Sequence, residues 1–151
     1  MKNLIVILLA VMSVSALANG VMVHDAYIRL LPPTAKTTGA FLELMNHSDK
    51  DVKLLKAESD FSEKVELHTH IEKDGMMKMV EVKEIVIPAG KTVAMKPGSF
   101  HIMLIGLKNP LKENQETTIK LTFDDKTTQS VKLSVKKIMN DMKKGSKDHQ
   151  H

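Results

Sequence analysis

The sequence predicts an all-β fold, an antiparallel β-sandwich or barrel of about nine short strands. Three observations carry this expectation. Gly, Pro, Asn and Asp recur at short, regular intervals and divide the chain into segments of strand length. Within segments such as "TTIKLTF" (117–123) and "SVKLSVKKI" (130–138), apolar and polar residues alternate with period two, the pattern of a strand with one buried face. No segment shows a helical period over the length of a helix.

The first expected strand is 21–30, "VMVHDAYIRL", which ends at Pro32 and Pro33, where two amide donors are missing and a ladder cannot continue. The next are 39–46, 51–59 and 64–72. After "KDG" (73–75) the chain returns through 76–87, because Asp-Gly suits the positive φ angles of a type I′ hairpin turn. Pro88-Ala89-Gly90 and Pro97-Gly98 bound a short strand at 91–96, and 101–107, "HIMLIGL", is strongly apolar. The strands 117–123 and 130–138 complete the set.

Residues 1–18 read as a cleaved export signal: Lys2 supplies the positive start, residues 4–14 are an apolar run, and Ala16-Leu17-Ala18 fits the small-x-small cleavage rule. That run is too short for a permanent anchor, which needs about 20 residues. No cysteine follows, so a lipid anchor on cysteine is not expected. The expected organisation is a signal at 1–18, one β-sandwich domain at 19–138 and a polar tail at 139–151. The destination would be a space outside the cytoplasm.

The chain has 151 residues and no cysteine, so an exported domain of this kind must hold together by packing alone. The same absence removes thiol nucleophiles, zinc ribbons, iron–sulfur clusters and thiolate blue-copper sites. The formal charge is +4, spread along the chain, with a single arginine, Arg29, and 3% aromatics. Nucleic-acid readers lean on arginine and stacking aromatics, so nucleic acid is not an expected partner.

One stretch stands out chemically: "VELHTHIEKDGMMKM", residues 65–79. Alternation puts Val65, Leu67, Thr69 and Ile71 on one face and Glu66, His68, His70 and Glu72 on the other. An Asp74-Gly75 turn pairs Lys73 with Met76, Glu72 with Met77 and His70 with Met79, leaving His68 diagonal to Met79. A second pair is His101-Ile102-Met103, where i and i+2 share a face. Imidazole with thioether, without thiolate or carboxylate, selects Cu(I) over zinc, magnesium or calcium. Each residue alone is unremarkable, since methionine is ordinarily core filler. An exported hydrolase using His68, His70, Glu66 and Glu72 around zinc would leave the methionines unexplained.

The full spacing is His68-x10-Met79-x21-His101-x-Met103. It resembles, residue for residue, the signature of the PCu(A)C periplasmic copper chaperones. "HDAYIR" (24–29), "TGAFLEL" (38–44), "IPAG" (87–90), "KPGSFHIMLIGLK" (96–108) and "PLKENQETTIKLTF" (110–123) resemble that family too. The resemblance implies a cupredoxin-like Greek-key β-sandwich that binds one Cu(I) through His68, Met79, His101 and Met103. It also implies a chaperone that delivers copper to the CuA centre of cytochrome c oxidase, directly or with a Sco-type thioredoxin-like protein; a monomer without enzymatic activity is expected. A copper buffer for tolerance, with no dedicated acceptor, is the alternative.

The motif gap selects His68, whereas the hairpin register puts His70 opposite Met79; His70 is a reserve ligand or a supporting donor. Met76 and Met77 read as packing or shielding residues, and His24 and His47 as ordinary polar residues. The tail carries the same donor types in Met139, Met142, His149 and His151. Some members of the family have His/Met-rich extensions that add a copper site. A solvated tail is expected here, with a contribution to copper capture as the alternative.

Overall fold

The computed structural model describes residues 20–138. The expected signal and tail lie outside the described residues. The described chain forms ten strands and no helix: β1 (Val21–Arg29), β2 (Thr37–Asn46), β3 (Val52–Ser59), β4 (Ser62–Lys73), β5 (Met76–Glu81), β6 (Ile85–Ile87), β7 (Thr92–Met95), β8 (His101–Leu107), β9 (Glu116–Phe123) and β10 (Thr128–Lys136). They form one hydrogen-bonded network in the order β5-β4-β8-β2-β1-β10-β9-β3-β6, with β7 paired to β2. Leu42, Leu44, Leu67, Ile102 and Leu104 from one half share a single core with Leu54, Leu121, Phe123, Leu133 and Val135 from the other. The network is therefore folded over its own apolar face, which is how an all-β chain without disulfides excludes water.

Two features differ from the sequence expectation. The segment 76–87 is two strands: β5 pairs with β4, and β6 pairs with β3. The chain leaves one half of the network and joins the other across Val82-Lys83-Glu84. The strands are also not all antiparallel, because β1 and β10 run parallel, Tyr27 beside Ser134 and Arg29 beside Lys136. This contact joins the first and last strands of the described residues, and local alternation carries no trace of it.

The hairpin register follows the turn. Asp74 (φ 55°) and Gly75 (φ 73°) both occupy the left-handed region, as a type I′ turn requires. The ladder pairs Lys73 with Met76, Glu72 with Met77 and His70 with Met79, the pairing expected from the turn alone. On its other edge β4 pairs with β8, placing Leu67 beside Ile102 and His68 beside His101.

β1 carries a bulge. Val21 and Ile28 are both fully buried, although an odd number of positions separates them and a regular strand would send them to opposite faces. The register shift between His24 and Tyr27, with Asp25 at φ 49°, reverses the alternation. As a result Ile28 points to the core, and Tyr27 and Arg29 go to the outer face.

β8 lies between β4 and β2, and its Leu104 is 0% exposed. Leu104→Ala should lower the unfolding free energy by about 2–5 kcal/mol through lost burial and a residual cavity. Urea denaturation of wild type and variant measures this; a loss within about 0.5 kcal/mol, the range of ordinary surface changes, would show that this strand does not anchor the core.

Candidate metal centre

The outer face of β5, β4, β8, β2 and β1 carries the polar and thioether residues in rows set by register. In the central row His68 stands beside His101. The His101 ring neighbours Phe41, with centroids 6.1 Å apart, and Phe41 neighbours Tyr27 at 5.3 Å. One row toward the other end of β8, Met103 lies between Glu66 and Gly39. On the opposite side of the central row, His70 pairs with Met79. The rings of His68 and His70 lie 5.8 and 5.2 Å from that of His101. Two separate histidine–methionine sets thus converge on one surface because β4 pairs with β5 on one edge and β8 on the other.

Hydrogen bonds orient the imidazoles. The turn at Pro97-Gly98 is closed by the Ser99 amide donating to the Lys96 carbonyl at 2.9 Å. It presents the Ser99 carbonyl, which accepts from His101 Nδ1 at 3.0 Å. This assigns the proton to Nδ1 and leaves Nε2 as the lone-pair donor. His70 Nδ1 stands 3.5 Å from the same oxygen, at the limit of a hydrogen bond. His68 Nε2 lies 2.6 Å from Glu66 Oε2, and Glu66 also pairs with Lys64. Lys64 first, and His68 second, hold the Glu66 carboxyl below its usual range.

With Nε2 engaged by that carboxylate, His68 Nδ1 is buried and has no hydrogen-bond partner among the described residues. A buried nitrogen lone pair without a donor is costly, and a cation would satisfy it. A carboxylate behind an imidazole is the arrangement that fixes tautomer and ring orientation for a metal. Each of His68 and His101 therefore offers one nitrogen.

A cavity of about 290 Å³ opens on this face, lined in part by His70, Met79, His101 and Met103. Three of the four motif residues reach it. His68 does not line it, and His70 does. His101 is 3% exposed and Met79 is 47% exposed, so one donor sits deep and one lies at the rim. Among the described residues no three His, Asp or Glu side chains are grouped to hold a metal. The donors that do line the cavity are imidazole from His70 and His101 and thioether from Met79 and Met103, a set suited to a soft monovalent ion.

Met76 and Met77 are not core packing: they are 59% and 62% exposed on β5, which among the described residues pairs with β4 alone, so of the two expected roles shielding is the one this exposure leaves open. His24 and His47 are exposed and lie outside the cavity lining. Ser99, Phe41 and Gly39 were not singled out from the sequence. The Pro97-Gly98 turn could have pointed to Ser99; the other two depend on pairing between distant segments.

Burial lowers the His101 pKa, the positive forms of His70 and His68 lower it further, and the Ser99 carbonyl opposes the shift without cancelling it. Folding therefore favours the neutral ring. Its contribution to stability is complete above the unfolded value of about 6.5 and is lost as pH falls through the lower folded value. NMR titration of the metal-free protein should show His101 protonating below 6.5, with urea stability declining over the same window. A midpoint at or above the ordinary value would contradict the buried geometry.

The family described as "Putative lipoprotein LpqE-like" matches residues 21–135. "Putative lipoprotein Lxx21020" of Leifsonia xyli is 35% identical over 120 residues, covering 79% of this chain and 71% of that protein. "Uncharacterized protein RP573" of Rickettsia prowazekii is 31% identical over 122 residues, covering 74% and 67%. Among solved structures, apo-DR1885 from Deinococcus radiodurans is 32% identical with a TM-score of 0.65, covering 92% of this chain and 93% of that one. Its Cu(I) form, also 32% identical, gives 0.61 over 78% of each. The copper-bound PCuAC domain of PmoF2 is 15% identical with a TM-score of 0.67 over 79% and 94%, a likeness of fold. The all-β, cupredoxin-like architecture matches that of the PmoF2 PCuAC domain and of DR1885, and the chain belongs to the LpqE-like family.

Proposed function

We propose that this protein is a periplasmic copper chaperone that carries one Cu(I) on its outer sheet face and hands it to an acceptor. The ligands are His68, Met79, His101 and Met103. The observation that carries the reading is the register-built surface on which His68 and His101 stand side by side, His68 Nδ1 buried with no partner among the described residues and the His101 ring oriented by the Ser99 carbonyl. The Cu(I)-bound state of DR1885, a 32% identical relative, supports the same cargo. Relatives described as lipoproteins and the signal-like residues 1–18 support export.

Imidazole and thioether are neutral donors, so the set favours Cu(I) over the harder Cu(II). Transfer proceeds by ligand exchange, an acceptor's donors replacing the protein's one at a time. The exposed Met79 is the first to be displaced, and the buried His101 the last. The acceptor in this reading is the CuA centre of cytochrome c oxidase, reached directly or through a Sco-type protein. No step of transfer requires bond-making catalysis by the chain.

A second reading of the ligand set has its own observation: His70, not His68, lines the cavity and pairs with Met79. Under that reading His68 supports the site through Glu66. Copper K-edge absorption on protein loaded with one equivalent of Cu(I) should show mixed nitrogen and sulfur scattering, with sulfur reduced in Met79→Ala and nitrogen reduced in His101→Ala. A nitrogen-and-oxygen shell insensitive to both changes contradicts the site. His68→Ala should weaken Cu(I) binding by about a hundredfold, within the range for losing a donor or its support, while His70→Ala stays within about tenfold; the reverse order would assign the ligand to His70. Competition with a Cu(I) chelator measures both.

A further inference from the structure

We propose that Arg29 and the cavity beside the histidine–methionine set form a subsite for a carboxylate. Four observations carry this. The bulge at Asp25 turns Arg29 outward onto the site face, where it lines the same cavity as His101 and Met103. Gly39 pairs with Met103, and one register step beyond the Ile28–Ala40 pair it faces Arg29. With strands about 4.8 Å apart, Arg29 and Met103 thus stand roughly 10 Å apart across a residue with no side chain. A Cβ at Gly39 would meet the Phe41 ring at 2.9 Å, so glycine keeps the cavity open.

The third observation is charge. Among the described residues no Asp or Glu lines the cavity and Arg29 has no ion pair. It is also the only arginine in the chain. The nearby carboxylate of Glu66 is already engaged by Lys64 and His68. A guanidinium is a rigid fork matched to a carboxylate, which it binds through two parallel hydrogen bonds. The fourth is size. About 290 Å³ greatly exceeds the space of one ion, since a water occupies about 30 Å³ of liquid. It accommodates a small organic anion or the tip of an acidic side chain.

The subsite itself needs no copper. Its role as counter-charge to bound Cu(I), whose proposed donors are all neutral, rests on the function proposed above. The carboxylate has two sources, a free small molecule or an Asp or Glu of a docked protein, and the chemistry at Arg29 is the same for both.

The test uses the metal-free protein, so that its failure is separate from failure of the copper reading. Isotope-labelled protein is titrated at constant ionic strength with sodium acetate, sodium chloride, acetamide or a blocked aspartate dipeptide. Acetate should shift the Arg29 side-chain and Met103 methyl signals saturably, and acetamide should not. Arg29→Gln should weaken the response by about tenfold or more, and Arg29→Lys should fall between, with core signals unchanged in both. Saturation by the dipeptide at least as tight as by acetate assigns the source to a protein side chain; saturation by acetate alone assigns it to a free carboxylate. Equal shifts from chloride and acetate, or unchanged binding in Arg29→Gln, would overturn the subsite.

Discussion

The site depends on one constraint, the register of β4 between its two neighbours. Leu67 must bury beside Ile102, so His68 must stand on the other face beside His101. A slip of one residue would turn Leu67 to solvent and both histidines into the core, exchanging a buried leucine for buried polar rings. Apolar burial on the inner face therefore fixes the arrangement of donors on the outer face. The Asp74-Gly75 turn sets the second edge of β4 in the same way, bringing Met79 alongside His70. Function and stability are coupled here through alternation and not through shared residues.

The support of the donors follows the same economy. The Ser99 carbonyl fixes one imidazole, and the Glu66 carboxylate fixes the other. Both supports lie within two positions of the histidine that they orient, so the strand geometry that places each ring also places its partner. His101 is held deep under Phe41 and the turn, whereas Met79 is left at the rim. A carrier that must retain an ion and then yield it is served by such a gradient from fixed to accessible donors.

Local chemistry made much of this legible. Turn residues and period-two alternation placed the strands, the Asp-Gly turn gave the hairpin ladder pair by pair, and the faces of His68, His70, His101 and Met103 followed. What could not be read is non-local. The break of 76–87 into β5 and β6 reflects two different partners, and the parallel contact of β1 with β10 joins the first and last described strands. The bulge at Asp25 left "VMVHDAYIR" looking like an ordinary strand, and it is the bulge that sends Arg29 outward. The exposure of Met76 and Met77 follows from β5 being an edge, which only the topology reveals.

The central claim is that the register gathers thioethers from two separate elements around one Cu(I). Carbon NMR of methionine methyl groups, with one equivalent of Cu(I) added to the metal-free protein, tests it most directly. The account predicts large shifts for Met79 and Met103 together, complete at one equivalent, with Met76, Met77 and Met95 nearly unmoved. Shifts at the edge-strand Met76 and Met77 alone, or no methionine response, would contradict it.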